Sequence, residues 1–142
     1  EISVQTKIVM IVLLTVAAML AACSTEPAID PLTIGDPVKG QELFENPLRG
    51  RCAACHDQNG KDIPTGPSLA GIGAEAGKRV SGMSAVEYLE QSILEPSAFL
   101  SEGYQDRMKV YRIVVAEEED YMFADMITEE EMNNLVAFLL TQ

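Results

Sequence analysis

Cys52-Ala53-Ala54-Cys55-His56 is the stretch on which the reading of this chain turns. A C-x-x-C-H spacing is the attachment signature of a c-type haem. Two thiols three residues apart in a tight turn can each add to one vinyl group of a single porphyrin. The adjacent histidine is then held under the iron, where a ring nitrogen can bind it axially. His56 is the only histidine in the chain, so no other imidazole is available as a proximal or distal ligand. Two other uses of the pattern fit less well. A zinc site usually needs four ligands, and the third cysteine, Cys23, lies at the end of an apolar run. A redox dithiol calls for a βαβ context that this sequence does not offer. The expected cofactor is one covalent haem c.

Working outward, residues 36–142 make one domain of about 100 residues, a common domain size. A domain this small buries limited apolar surface, so a haem would supply much of its core. The formal net charge is -12, from 22 acidic and 10 basic residues. That argues against nucleic acid and anionic headgroups as partners, and suits a partner with a basic docking face. Two of the three cysteines belong to the haem motif, which leaves no disulfide framework.

Ahead of the domain, Lys7 precedes an apolar run from Ile8 to Ala22, interrupted by Thr15 and ending in Leu20-Ala21-Ala22-Cys23. A basic flank, an apolar core and small residues before a cut point form a secretory signal. The L-A-A-C ending resembles a bacterial lipoprotein box, which would make Cys23 a lipid anchor. A retained membrane helix competes with this reading. From Ile2, with Lys7 snorkelling, its length suffices for a hydrocarbon core of about 30 Å. Both readings place the haem domain on the periplasmic, extracytoplasmic side. The expected organisation is a signal or anchor over 1–23, a linker rich in proline over 24–35, and the haem domain over 36–142.

Within that domain, Asp36 and Pro37 predict a helix start, with the helix running to about Glu45 before Pro47. The Gly-, Pro- and Ser-rich stretch from Asp57 to Gly82 reads as loop. Inside it lies Thr65-Gly66-Pro67-Ser68-Leu69, where the Pro67 carbonyl could accept the second ring N–H of His56. Ser84-x-x-Glu87 and Thr128-x-x-Glu131 are capping boxes opening two further helices. The expected fold is all-α, with three main helices around a loop-borne haem and an N-terminal membrane anchor.

Over residues 36–142 this arrangement resembles the class I c-type cytochromes: a first helix with Gly40 and Phe44, then C-A-A-C-H, the T-G-P-S-L loop, a middle helix, a methionine loop and a last helix bearing Phe138. The resemblance implies that the first and last helices cross at Gly40 facing Phe138, and that Pro67 is the carbonyl partner of His56. More narrowly, Gly71-Ile72-Gly73, Tyr88 to Ile93, Pro96 and Gly103-Tyr104 look like monohaem subunits or domains of respiratory complexes. The nearest likeness is to the monohaem subunit of alternative complex III, a membrane quinol-oxidising assembly. The membrane segment agrees with that branch.

A methionine is the natural sixth ligand where no second histidine exists. The family's ligand follows a Gly-Tyr pair and precedes a proline. Met108 follows Gly103-Tyr104 at the right spacing, but Lys109 stands where the proline is expected. Met122, Met126 and Lys109 therefore stay open beside Met108. Between Met108 and the last helix lies an insertion-like stretch: β-prone Val110 to Val115, then acidic Glu117 to Asp120. It reads either as a solvated hairpin or loop, or as a surface that docks a partner subunit or shields the haem edge.

The expected function is electron transfer by a non-enzymatic carrier, since a haem with both axial positions filled has no site for substrate. Its partners would be other subunits of a membrane complex and an oxidase or soluble carrier. The competing classes are a haem enzyme or sensor with an open distal site, and a structural subunit whose haem only stabilises the fold.

Overall fold

The Asp36 carboxylate accepts from the N–H groups of Val38 and Lys39, and Pro37 takes the first helical position, where a missing N–H costs nothing. Helix α1 so begun spans Pro37–Glu45 and stops at Asn46, before Pro47. The computed structural model describes residues 29–115 and 125–142, together with Gln5. The apolar run, Cys23, Met122 and the acidic stretch 117–120 lie outside the described residues. Among the described residues no helix is long and apolar enough to cross a membrane.

Helix α2 spans Ile72–Arg79, inside the stretch that the composition reads as loop. The domain therefore has four α-helices among the described residues rather than three main ones. Gly73 and Gly77 mask α2 in the sequence, because glycine weakens any local helical preference. Tertiary contact overrides that weakness: Ala76 is fully buried, Ile72 joins the core, and α2 packs on both of the following helices. Helix α3 spans Ala85–Leu94 and opens with the Ser84/Glu87 capping box. It buries Tyr88, Leu89 and Ile93 and ends before a 3₁₀ turn over Pro96–Ala98. Phe99 meets the Tyr88 ring edge-on at 5.5 Å.

Helix α4 spans Glu129–Leu140 and is the centre of the packing. Thr128 and Glu131 cap it reciprocally, and three glutamates occupy its first turn, where the helix dipole favours them. Met132, Leu135, Val136, Ala137, Phe138 and Leu139 are all buried along it. Helix α1 crosses α4 at Gly40, where a Cβ would lie 2.0 Å from the Asn134 carbonyl oxygen and 2.7 Å from the Phe138 Cβ. Phe44 and Phe138 close the same contact, ring centroids 5.4 Å apart.

Two departures from the sequence reading concern the domain's edges. Residues 31–35, assigned there to the linker, are folded: Pro31–Thr33 form a 3₁₀ turn capped by Asp30, and Gly35 lies against the backbone of Asn133. Buried Asn134 explains the attachment, since its Oδ1 accepts from the Asp36 N–H at 2.7 Å. Among the described residues the β-prone run forms no hairpin of its own. Strand β1 (Arg112–Ile113) pairs in parallel with strand β2 (Met126–Ile127), Arg112 opposite Met126. A parallel pair needs a connection of a dozen residues or more, which residues 114–125 provide.

Replacing Gly40 by alanine should drive a methyl into a backbone oxygen that cannot rotate away. Overpacking of this kind costs about 3 kcal/mol, and in a domain of this size lowers the melting temperature by roughly 12–24 °C. A thermal melt of Gly40→Ala that falls by only a degree or two would mean the helices do not meet there.

Candidate haem site

Asn46, which ends α1, also starts the loop that carries the motif. Its Oδ1 accepts from the Leu48 and Arg49 N–H groups, and its carbonyl from the Arg51 N–H. The Arg49 guanidinium reaches across to Met126 O at 3.0 Å and to the Glu131 carboxylate at 2.9 Å, tying this loop to β2 and α4. Gly50 and Arg51 then both take left-handed conformations, with φ 64° and 56°. For a residue with a Cβ that conformation costs about 1–2 kcal/mol. The reversal feeds a 3₁₀ turn over Cys52–Ala54, closed by the Cys55 and His56 N–H groups donating to the Cys52 carbonyl at 3.0 and 2.9 Å. One short turn thus presents both thiols and the imidazole.

Neither Cys52 nor Cys55 is in a disulfide; Cys55 is exposed, while Cys52 packs against the core. Burial pushes the Cys52 thiol up to about 12, so it is protonated at neutral pH. His56 Nδ1 lies 3.0 Å from the Pro67 carbonyl oxygen. A carbonyl only accepts, so Nδ1 carries the proton and Nε2 keeps its lone pair. Gly66 permits this approach: a Cβ there would lie 2.5 Å from Cys55 O and 2.9 Å from His56 Cε1. The loop that brings Pro67 in is laced by its own side chains. Asp57 accepts from the N–H groups of Lys61 and Asn59, which hold its carboxyl below the usual range, and Asp62 accepts from Ser68 N–H at 2.9 Å.

The structure therefore brings Cys52, Cys55, His56 and Pro67 together. Met108 sits on a segment outside any helix or strand and is 38 % exposed, as Leu100 and Val110 are exposed near it in sequence. Lys109 is exposed, Met126 is half-buried on β2, and Met132 is core, as its place in α4 suggests. Among the described residues no group of three or more Cys, His, Asp and Glu side chains could hold a bare metal ion. The chemistry of the donor set instead fits a porphyrin: two cysteine sulfurs outside any disulfide, one histidine nitrogen with a fixed lone pair, and uncovered apolar side chains in the methionine segment.

Sequence reasoning missed Tyr111. Its ring is buried and its hydroxyl donates to the Gly50 carbonyl, one residue ahead of the left-handed Arg51. Burial pushes this phenol up to about 12, with the nearby Cys52 thiol adding to the effect. The only signal in the sequence was an aromatic residue in a β-prone run, which does not say what it reaches.

A family model for Cytochrome c matches residues 37–142, the span from α1 to the chain's last residue. A search of curated proteins finds no match.

Gly66→Ala should weaken the His56–Pro67 hydrogen bond. That bond raises the basicity of Nε2 and so favours the oxidised iron. A net loss of about 0.5–1.5 kcal/mol corresponds to a midpoint potential higher by roughly 20–65 mV. Potentiometry showing no rise would mean that the Pro67 carbonyl does not tune this ring.

Proposed function

Since the chain belongs to the cytochrome c family, we propose that it is a membrane-anchored, monohaem electron carrier serving as a subunit of a quinol-oxidising complex of the alternative complex III type. The family's cofactor is a covalently bound haem c, and its activity is electron transfer. When bound, the haem iron supplies a one-electron couple. Everything else is the work of this chain's residues.

Cys52 and Cys55 carry the two thioether bonds, and His56 Nε2 is the proximal ligand. The observation that carries this assignment is the His56 Nδ1–Pro67 O contact of 3.0 Å on a turn that also presents both thiols. The carbonyl fixes the tautomer and the plane of the ring before iron is considered. Met108 is the sixth ligand, a thioether that raises the potential, with Met126 and Met122 as the other candidates. With both positions filled, the protein passes electrons and binds no substrate. One observation favours a second reading, a haem with an open distal site: Met108 is exposed, and Lys109 follows it in place of a proline.

The membrane placement is supported by the apolar run from Ile8 to Ala22, Lys7 ahead of it and the L-A-A-C ending at Cys23. The haem domain then faces the periplasmic side. The net charge of -12 favours a partner subunit, oxidase or soluble carrier with a basic face.

Two measurements test this reading. The oxidised protein should show the weak near-infrared band of methionine–iron bonding, and Met108→Ala should abolish it. A band that survives points to Met126 or Met122. A native protein that lacks the band and takes up carbon monoxide when reduced has an open site, and the carrier reading fails. On membranes, the wild-type protein should resist a salt and carbonate wash. Cys23→Ser should release it if the anchor is a lipid and leave it bound if the anchor is a helix. Release of the wild type by washing alone would exclude an anchor of either kind.

A further inference from the structure

Tyr111 stands out among its neighbours. It is 8 % exposed, whereas Val110 and Ile113 on either side are 54 % and 48 % exposed. The chain around it is held at two places. Its own N–H donates to the Ile93 carbonyl at the end of α3, at 3.4 Å, and the next residue pairs with β2 through Arg112 N–H to Asp125 O at 3.0 Å. From that mounting the phenol reaches the Gly50 carbonyl, on the peptide that joins the two left-handed residues. Gly50 lies two residues ahead of Cys52. A left-handed residue with a Cβ persists only where its surroundings impose it. Here the Gly50 carbonyl is held by Tyr111 and the Arg51 N–H by the Asn46 carbonyl.

We propose that Tyr111 is a positioning residue for haem attachment: by holding the Gly50 carbonyl it fixes the left-handed turn that delivers the Cys52 thiol to the porphyrin. A ring that only filled the core would do as well without its oxygen, yet this oxygen is given a buried backbone partner, as a buried phenol requires. The step it serves is addition of the thiol across a vinyl C=C bond. Sulfur bonds the inner vinyl carbon and the thiol proton ends on the outer carbon, so S–H and one C=C bond give way to C–S and C–H. Nothing is oxidised or reduced. Cys55 is exposed and lies five residues beyond Gly50, whereas Cys52 lies two residues beyond it. Loss of the hydroxyl therefore shows more strongly at the Cys52 thioether than at that of Cys55.

The inference rests on haem attachment through Cys52, as proposed above. The test uses the full-length haem-loaded protein: wild type, Tyr111→Phe, and Leu139→Val as a core variant away from the motif. Thioethers are counted from the alkaline pyridine spectrum of the reduced haem and from the mass of the haem peptide, and midpoint potentials are measured alongside. The wild type and Leu139→Val should carry two thioethers. Tyr111→Phe should show a several-fold larger fraction of haem joined through Cys55 alone, and a shifted potential in its doubly linked fraction. Adding Arg51→Gly, which adopts the left-handed turn without strain, should restore the doubly linked fraction. It should do so even where Tyr111→Phe by itself yields little loaded protein. Wild-type thioether count and potential in Tyr111→Phe would overturn the inference, as would failure of Arg51→Gly to rescue. Haem extracted from the wild type by acidified organic solvent would instead overturn covalent attachment itself.

Discussion

The absence of a side chain at Gly40 sets how closely the backbone of α1 approaches that of α4, and the haem-bearing turn is placed by that approach. Helix α1 ends in Asn46, whose side chain and carbonyl shape the next five residues. Arg49 then returns to Glu131 and Met126, on α4 and β2. The path from α4 through α1 and the loop back to α4 is closed. The two thiols and the imidazole hang from it. A change in the distance between α1 and α4 would move all three together.

The ion pairs differ in what they contribute. Lys39–Glu130 and Lys78–Glu75 are solvent-exposed, and exposed pairs add little to stability. Arg49–Glu131 is mostly shielded, at 16 % and 23 % side-chain exposure, and the same guanidinium also serves a backbone carbonyl. Its partner Glu131 is at once the capping glutamate of α4. One carboxylate therefore both starts the last helix and fastens the loop that carries the motif. The second of these roles is not visible in the spacing of the residues, because Arg49 and Glu131 lie at opposite ends of the domain.

What could be read in the sequence is what depends on near neighbours. Asp36-Pro37, Ser84-x-x-Glu87 and Thr128-x-x-Glu131 announced three helices, because a cap is made within four residues of the chain. The haem motif was legible for the same reason. Helix α2 was hidden by its glycines, whose lost local preference is offset by packing that no window of sequence shows. The parallel pairing of Arg112–Ile113 with Met126–Ile127 and the reach of Tyr111 to Gly50 join distant residues. The sixth ligand is harder still, since several methionines share one stretch of chain and only their approach to iron would distinguish them.

The crossing of α1 with α4 also orders events in time. The two helices stand at opposite ends of the domain, and α1 buries its apolar face chiefly against α4. Contacts so far apart in sequence form late and at a high entropic cost of loop closure. During synthesis the motif therefore precedes, by most of the domain's length, the helix that will enclose it. The turn that Tyr111 holds is complete only once the chain has closed that distance, so the Cys52 side chain takes its final setting as late as the core it packs against.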